Sequence, residues 1–427
     1  MKRLTGTNEE ISNILYQEQL ELSKENLDVE ATVREIIEKV KEEGDEALRA
    51  YSEKFDHVVL SELHVSDQVV NEAFDKIDKD VLTALENTKA NIESYHKQQL
   101  EGGFEDQPSQ GVLRGQLIRP IERVGVYVPG GTAAYPSSVL MNVIPAKIAG
   151  VKEIIMITPP QEHFVPAILV AAKLAGVDKI YQVGGAQGIA ALAYGTQTLP
   201  KVDKITGPGN IFVATAKKLV YGVVGIDMIA GPSEIGVIAD STANPVYVAA
   251  DLLSQAEHDV RARAILVTNS AELADAVELE IEKQLQTLPR QAIARPSIEN
   301  NGRIIIAENV EDMFDLMNKV APEHLEIAMD KAYDYLDQVQ NAGSVFLGHY
   351  TSEPIGDYYA GANHILPTTA TSRFSSALGV HDFVKRIQYT QYDQYAVNQA
   401  EKDITTLAYA EGLQAHARAI EVRNDKN

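Results

Sequence analysis

Cysteine is absent from this 427-residue chain. A protein without thiols forms no disulfide, offers no thiolate to a metal and has no cysteine nucleophile. Any chemistry must therefore come from carboxylates, imidazoles, amides and hydroxyls. The absence is also compatible with a reducing compartment, and we expect a cytoplasmic location.

Long apolar runs are missing as well. The first residues, MKRLT, lead within a few positions to the polar NEE at 8–10, so we expect no signal segment. No stretch approaches the run of about eighteen apolar residues that a membrane span needs. We therefore expect no membrane partner.

Positive charge is scarce. The chain has 38 Lys and Arg against 61 Asp and Glu, a formal net charge of −23. Because such a surface repels a polyanion, we expect no nucleic-acid partner. A small anionic cofactor is not excluded, since the N-terminus of a single helix can hold phosphate.

Three familiar motifs are also absent: the dinucleotide loop G-x-G-x-x-G, the phosphate loop G-x-x-x-x-G-K-[ST] and the zinc-protease helix H-E-x-x-H. A standard phosphate loop and a standard zinc protease are thereby excluded. A nucleotide or metal site in this chain must use other residues.

The length predicts two or three packed units. Residues 1–120 carry apolar side chains at helical spacing amid many Glu and Lys, which predicts a helical region packed on the core. Residues 376–427, with predicted helices at 380–386 and 401–423, form a tail too short to build its own core. We expect this tail to pack on another unit or on another subunit.

In the two segments between, 121–236 and 237–375, short β-branched runs alternate with helical ones. Predicted strands lie at 124–128, 153–157, 179–183, 202–205, 235–239, 264–268, 303–306, 326–328 and 344–346. The alternation predicts an α/β fold of two Rossmann-like units, each a parallel sheet with helices on both faces. No residue-level repeat relates the two units.

Glycine-rich turns follow three of these strands: VPGGT at 128–132, GGAQ at 184–187 and TGPGN at 206–210. Each leads into a predicted helix, whose first N–H groups could receive the phosphates of a dinucleotide. The alternative is that all three are simply tight turns between strand and helix. The sequence alone leaves both interpretations open.

Two short motifs offer polar side chains at helical ends. In SQAEH at 254–258, Gln255 and His258 are three residues apart and share one helical face. In APEHL at 321–325, Pro322 suits the first position of a turn or a helix, and at a helix start the backbone dipole would keep His324 neutral. Adjacent Glu323 and His324 point in different directions and could serve two separate proton transfers. The alternative for both motifs is a polar end that meets water.

Two further stretches add potential ligands. GDYYAGANH at 356–364 contains Asp357 and His364, and EGLQAH at 411–416 contains Glu411 and His416. A single histidine in such a tail is more often a solvated side chain. Two oxygens and two nitrogens suit Zn²⁺ or a similar metal such as Mn²⁺ or Co²⁺. One such set of side chains is Gln255, His258, Asp357 and His416. Spacing alone does not bring four such distant residues together.

Nine motifs, in order, resemble the histidinol dehydrogenase family: VGVYVPGG, GGAQGIAALAYGT, VDKITGPGN, IAGPSE, DLLSQAEHD, APEHLE, NAGSVFLG, GDYYAGANHILPT and EGLQAH. They span residues from about 120 to 420 and are highly specific. The resemblance implies an aldehyde-dehydrogenase-like fold. It also implies a homodimeric enzyme that oxidises L-histidinol through L-histidinal to L-histidine, the last two steps of histidine biosynthesis, with two NAD⁺ reduced.

The resemblance also implies roles for particular residues. Glu323 and His324 would be the acid–base pair. One Zn²⁺ per subunit would be held by Gln255, His258, Asp357 and His416. The substrate would be contacted by these four and by Ser233, His324, His364 and Glu411. NAD would be contacted by Tyr127, Gln187 and Asn210. Glu411 and His416, in the tail, would complete the site of the partner subunit.

The chain departs from the family pattern at Tyr359-Ala360 and at Thr368-Thr369-Ala370, where smaller residues are common. These changes concern the packing of the substrate loop. Three other functions stay open: a related zinc and NAD dehydrogenase for another polar alcohol, a zinc hydrolase with Glu323 as water base, and an imidazole-binding module. Turnover of histidinol against other alcohols, NADH production and product formation discriminate among them.

Overall fold

A computed structural model describes residues 1–22, 27–130, 135–162 and 164–424. The predicted turn at 128–132 lies partly outside these residues. The strands are β1 Lys2–Leu4, β2 Phe104–Asp106, β3 Val112–Pro120, β4 Arg123–Tyr127, β5 Glu153–Thr158, β6 Lys179–Gln182, β7 Lys204–Thr206, β8 Gly225–Ile226, β9 Glu234–Ala239, β10 Arg263–Thr268, β11 Arg303–Ile306, β12 His324–Ala328, β13 Ser344–Leu347 and β14 Val384–Tyr392.

The helices are α1 Asn8–Leu22, α2 Leu27–Glu43, α3 Asp45–Tyr51, α4 Asp67–Lys76, α5 Lys79–Lys97, α6 Pro136–Ala149, α7 Pro166–Ala175, α8 Gly185–Tyr194, α9 Ile211–Val220, α10 Pro245–Ala256, α11 Ala271–Leu285, α12 Gln291–Asn301, α13 Val310–Val320, α14 Glu353–Tyr358, α15 Gln394–Ala410 and α16 Gln414–Asn424. In the described part of the chain, none of the helices has the length and apolar character needed to cross a membrane.

The first sheet is parallel throughout, with strand order β6-β5-β4-β7-β8. Its strands are nearly continuous apolar runs, as expected for strands covered on both faces. Alternate residues of β5 enter different cores. Ile154 and Met156 pack with α6 and α7, whereas Ile155 and Ile157 pack with α2, α8 and α9. Both faces of this sheet are therefore buried.

The second sheet is also parallel, with strand order β1-β11-β10-β9-β12-β13. Residues of α10, α11 and α12 pack on one face, and residues of α1 and α13 pack on the other. The first residues of the chain thus add an edge strand to the second sheet. The predicted α/β fold with two parallel-sheet units is confirmed, while the division into four units, with its three boundaries, stays a prediction.

A third, antiparallel sheet has the order β14-β3-β2. The predicted helix at 380–386 is wrong: a short 3₁₀ turn, Val380–Phe383, leads directly into β14. All nine residues of β14 pair with β3. A partner so remote in sequence is invisible to local periodicity, and its pairing overrides local helical preference.

The strand orders define where the two sheets can hold a ligand. In the first sheet the order reverses between β4 and β7, and such switch points form crevices at the carboxyl ends of the strands. In the second sheet the order reverses between β9 and β12. The hydroxyl of Ser138, on α6 after β4, is 3.2 Å from His364 Nε2, which follows β13 and α14. The carboxyl edge of the first sheet thus adjoins the second unit.

Candidate active site

The backbone of Glu234, the first residue of β9, joins the two residues of the predicted acid–base pair. Its N–H donates to Glu323 Oε2 at 2.9 Å, and its carbonyl oxygen lies 3.1 Å from His324 Nδ1. The Glu234 side chain is buried and paired with Arg263 at 3.2 Å. The parallel register that sets β12 beside β9 therefore places Glu323 and His324 around the backbone of one residue, Glu234.

His324 is the first residue of β12, which contains the predicted strand at 326–328, so of the two alternatives for this motif, a turn or a helix start, the helix start is wrong. Ala321 ends α13 in a left-handed conformation, with φ of 50°, and the chain then enters the sheet. Burial, not a helix dipole, lowers the pKa of His324 to about 3. Because a carbonyl only accepts, His324 Nδ1 carries the proton and Nε2 is the free acceptor.

Two carboxylates of α14 face that acceptor. Glu353 Oε1 and Asp357 Oδ1 each lie 3.9 Å from His324 Nε2. Burial, followed by the charge of Asp357, raises the pKa of Glu353 to about 8, and burial raises the pKa of Asp357 to about 6. In the described part of the chain, His324, Glu353 and Asp357 offer ligand atoms within 4.8 Å of one another.

The end of α10 reaches the same place. Ser254 donates to Glu353 Oε2 at 3.2 Å, which ties α10 to α14. The next residue, Gln255, is buried, and its amide nitrogen has no hydrogen-bond partner. His258 is exposed just beyond the helix, and its charge opposes the burial that raises the pKa of Glu353. Of the sequence-predicted metal ligands, three are thus on elements that meet here.

His364 and Ser233 border this group. His364 Nδ1 lies 3.5 Å from Asp357 Oδ1 and has no hydrogen-bond partner. Burial lowers the pKa of His364 to about 4. Ser233 immediately precedes β9, next to Glu234, and is half-buried. Ser233 therefore lies next to β9, which carries Glu234, and His364 follows α14, which carries Glu353 and Asp357.

The tail residues do not join this group through any contact within the chain that the structure describes. Glu411 ends α15, and His416 lies on α16 with an exposed side chain. These two helices pack on each other, and α15 also meets β14. A fourth ligand from His416 would have to come from another subunit or from a rearranged tail.

Comparisons with known proteins address what this constellation is. The histidinol dehydrogenase family model matches residues 20–424. A histidinol dehydrogenase from Streptococcus mutans is 96% identical over 427 residues, covering 100% of both chains. One from Listeria monocytogenes serovar 1/2a is 58% identical over 424 residues, 99% of both. The chain belongs to the histidinol dehydrogenase family.

A solved structure agrees with this family assignment. The crystal structure of histidinol dehydrogenase from Elizabethkingia anophelis superposes with a TM-score of 0.93 at 38% identity, over 99% of this chain and 98% of that one. Betaine aldehyde dehydrogenase from Staphylococcus aureus matches at 12% identity with a TM-score of 0.50, over 90% of this chain and 88% of the other. That second likeness concerns the fold alone.

The predicted cofactor residues of this histidinol dehydrogenase family member lie at the carboxyl edge of the first sheet. Tyr127 ends β4, and its hydroxyl accepts from Gly185 N at 3.4 Å, at the start of α8. Gln187 is buried in the first turn of α8. Asn210 caps α9, with its Oδ1 accepting from Phe212 N at 3.0 Å. All three residues line the strand-to-helix turns of this edge, and Asn210 also has a structural role as a cap.

The turn before Asn210 needs glycine. At Gly207 the backbone φ is 115°, and a Cβ there would lie 2.1 Å from the carbonyl oxygen of Tyr127. The backbones of Gly207 and Tyr127 can therefore approach this closely, at the switch point between β4 and β7, only because Gly207 has no side chain. The prediction that TGPGN and GGAQ are turns into helices is confirmed.

The donor set fits a divalent metal. Six buried or half-buried acidic groups surround the site, and one of them, Glu234, is paired with a buried arginine. The six are Glu234, Asp251, Glu323, Glu326, Glu353 and Asp357. Gln255, His324 and His364 each retain a buried polar atom without a partner. A cation would neutralise the carboxylates and use these free atoms, which are ligand types that zinc accepts.

Sequence reasoning missed Glu234 and Glu353. Glu234 directly follows Ser233 in the motif IAGPSE, and Glu353 precedes a proline at the start of a short helix. Glu234 precedes an apolar run and Glu353 precedes a proline at a helix start, and neither context by itself indicates a functional residue. Only the fold reveals that both are buried and face His324 or its neighbours.

Proposed function

We propose that this chain oxidises L-histidinol through L-histidinal to L-histidine, reducing two NAD⁺. Family membership over nearly the full length supports the reaction. The observation that carries the mechanism is the oriented imidazole of His324. Its Nδ1 is held by a backbone carbonyl, and its Nε2 is free and faces two carboxylates.

In the first oxidation, His324 Nε2 accepts the hydroxyl proton while the carbinol carbon loses hydride to NAD⁺. A base must have a free lone pair within reach of that proton, and Nε2 is the free atom here. Glu234 fixes the ring through a β-sheet backbone, so no reorientation is needed at the moment of transfer. The product of this stage is the aldehyde.

The second oxidation needs a hydrated aldehyde, because the aldehyde carbon still bears one hydrogen but its oxygen carries no proton that can be lost as the hydride leaves. Enzymes with a cysteine can form a hemithioacetal instead, but this chain has none. Glu323 is the residue we assign to the water. Burial raises the pKa of its carboxyl well above the usual value, which makes the carboxylate a stronger base. The resulting gem-diol then loses hydride to a second NAD⁺ and a hydroxyl proton to His324 Nε2, once that atom has released its first proton to solvent, and the product is the carboxylic acid.

Zinc fits the site, and we assign Gln255, His258, Asp357 and a His416 as its ligands. Zinc bound there would supply a Lewis acid and an anchor for the imidazole and amine of histidinol. His324 and Glu353 lie close enough to Asp357 to border it.

The remaining residues bind and orient. Ser233 and His364 stand at the border of the carboxylate group and can hydrogen-bond the polar ends of histidinol. Glu411, from the tail, would add a carboxylate for the substrate amine. Tyr127, Gln187 and Asn210 would receive NAD⁺ at the edge of the first sheet. Since the reaction consumes NAD⁺, we place the enzyme in the cytoplasm.

We further infer a homodimer in which each tail completes the partner's site. Large apolar side chains on β14, on α15 and α16 and in the turn between these helices are between 38% and 65% exposed, which is an unusual amount of clustered apolar surface for a face in contact with water alone. They are Ile387, Tyr392, Tyr395, Ile404, Leu407, Tyr409, Leu413 and Val422. A second subunit would cover them and bring Glu411 and His416 to its own carboxylate group.

Mixing two inactive variants tests the exchange of tails. His324→Ala subunits and His416→Ala subunits are unfolded together, refolded as mixed dimers and assayed. If tails are exchanged, one site of each mixed dimer has both residues intact, so about a quarter of wild-type activity returns for random pairing. If each tail serves its own subunit, no site in the mixture is intact and activity stays absent.

Stoichiometry tests the reaction itself. Histidinol in limiting amount should yield two NADH and one histidine per molecule consumed, measured by absorbance and chromatography. A related dehydrogenase for another alcohol would prefer that alcohol to histidinol. A hydrolase would yield no NADH, and a binding module would bind histidinol without any product.

A further inference from the structure

One side of helix α5 carries polar side chains that the mechanism derived so far does not use. Thr88, Asn91 and His96 project from successive turns of this helix, and Gln99 follows its end by two residues. All four are buried or half-buried, although the helix as a whole is rich in exposed charged residues. Their spacing places them along one side of the helix. A helix of the N-terminal region thus offers a row of hydrogen-bonding groups to a neighbouring segment.

That neighbouring segment begins at the end of α14. Thr88 Oγ1 donates to Tyr358 O at 2.7 Å, and Asn91 Nδ2 donates to Tyr359 O at 2.7 Å. These carbonyls belong to the last residue of α14 and to the residue after it. The final turn of a helix leaves its carbonyls without partners inside the helix, and α5 supplies the missing donors.

The loop that follows, residues 359–364, is called here the His364 loop. It contains neither helix nor strand. At Gly361 the backbone φ is 87°, and a Cβ there would lie 2.4 Å from Asn91 O and 3.2 Å from Ile92 N. The His364 loop therefore lies directly on the main chain of α5, and it can do so only because this position is glycine.

His96 makes the last contact of the row with the His364 loop. Its Nδ1 lies 2.9 Å from Ile92 O, and because a carbonyl only accepts, this nitrogen carries the proton. Nε2 is then the acceptor for Asn363 Nδ2 at 3.3 Å, and the same amide nitrogen donates to Met141 O at 2.8 Å. Burial lowers the pKa of His96, which keeps the ring neutral and able to accept. Buried Asn363 is thus held between α5 and α6, one residue before His364.

We propose that helix α5 positions His364 for histidinol. The positioning residues are Thr88, Asn91 and His96, which act through the backbone and the amide of the His364 loop. This proposal rests on the proposed function, in which His364 contacts the substrate. A loop without regular structure presents its side chains in many orientations, whereas a loop held at several points along a helix presents one. The 3.5 Å approach of His364 Nδ1 to Asp357 Oδ1 is the orientation that α5 maintains.

The double variant Thr88→Val/Asn91→Leu tests this assignment, because both substitutions keep the approximate size of the side chain and remove the donors. We expect KM for histidinol to rise about tenfold, while KM for NAD⁺ stays within about twofold of wild type. The variant Thr83→Val/Asn87→Leu makes the same two changes at exposed positions of the same helix. It is the matched control and should have wild-type values of both constants.

Two further variants address the remaining contacts. Gly361→Ala acts from the loop and leaves the sequence of α5 unchanged. His96→Phe keeps an aromatic ring and removes the acceptor for Asn363. Both should raise KM for histidinol more than KM for NAD⁺. An equal rise in the two constants would show a general loss of structure and would overturn the positioning role.

Hydrogen exchange separates failure of this assignment from failure of the proposed reaction. Deuterium uptake by peptides covering residues 359–366, measured by mass spectrometry, should be at least about fivefold faster in Thr88→Val/Asn91→Leu and in Gly361→Ala than in wild type or the control. Unchanged uptake overturns the proposal, as does faster uptake with an unchanged KM for histidinol. If wild type makes no NADH from histidinol, the proposed reaction fails. Faster uptake together with weaker calorimetric binding of histidinol by the variants would still support the positioning role.

Discussion

A buried ion pair beneath the cofactor turn lends itself to a quantitative prediction. The side chains of Lys217, on α9, and Asp227, after β8, are only 3% and 1% exposed and form a salt bridge. Lys217 Nζ also donates to Gly207 O at 2.9 Å, and Asp227 Oδ2 accepts from Gly207 N at 2.8 Å. The pair thus binds both backbone polar groups of Gly207 in the turn before Asn210.

Lys217→Met keeps the methylene chain and removes the charge and its hydrogen bonds. Leaving one buried partner of an ion pair alone costs about 3–5 kcal/mol. Asp227 retains two backbone donors, from Gly207 and Met228, so we expect the lower end, about 3 kcal/mol of unfolding free energy. The double variant with Asp227→Asn has no unpaired charge and should be more stable than the single one by about 2 kcal/mol.

Urea denaturation followed by circular dichroism at neutral pH measures both quantities, with unchanged dependence on urea concentration as the check on a common unfolding reaction. A loss below about 1 kcal/mol for Lys217→Met, or a double variant no more stable than the single one, would show that the pair is not isolated from water.

The same variant also has an expected effect on cofactor binding. Because the turn precedes Asn210, KM for NAD⁺ should rise in Lys217→Met while KM for histidinol stays the same.

Three further predictions concern the site. Glu323→Gln should slow oxidation of added L-histidinal at least tenfold more than it slows the first hydride transfer from histidinol, seen as one NADH per histidinol in a single-turnover trace; equal slowing contradicts the assignment of water to Glu323. Dialysis against a chelator should reduce activity more than tenfold, and Zn²⁺ should restore it, whereas full activity in the metal-depleted protein would contradict a zinc site. The free energy of unfolding should fall by about 1 kcal/mol between pH 4 and pH 6.5. Folding raises the pKa of half-buried Asp56 to about 6, so the folded protein holds the proton of Asp56 more tightly than the unfolded chain does. The stability that this proton provides is lost as the pH rises. Subtracting the pH profile of Asp56→Asn from that of wild type isolates this contribution, and identical profiles would contradict it.

Strand and helix alternation was predictable because the local pattern and the tertiary structure agree. The run EIIMIT at β5 is apolar on both faces and is buried on both faces. Glycines after β7 and before α8 mark turns that only glycine can form. In such segments the residues within a few positions decide the structure, so a sequence reading succeeds.

Other features depend on partners far along the chain. The start of β14 fell within the helix predicted at 380–386, since nothing within residues 380–392 reveals the pairing with β3. Likewise, the predicted strand at 326–328 begins two residues too late, and APEHL carries no local sign that His324 already belongs to a strand at the centre of the second sheet. Glu353 meets His324 only because β12 and β13 are neighbours. Long-range register of this kind cannot be read from spacing.

The position of His324 in a central strand has a consequence for how the protein can change over evolutionary time. Its main chain is paired with β9 on one side and with β13 on the other, so the backbone that carries the imidazole is fixed by strands on both sides. New substrates would be accommodated by altering the exposed side chains of Tyr358 and Tyr359 at the end of α14, which can change while the backbone of β12 stays as it is. The framework thus separates the part that performs proton transfer from the part that natural selection can remodel.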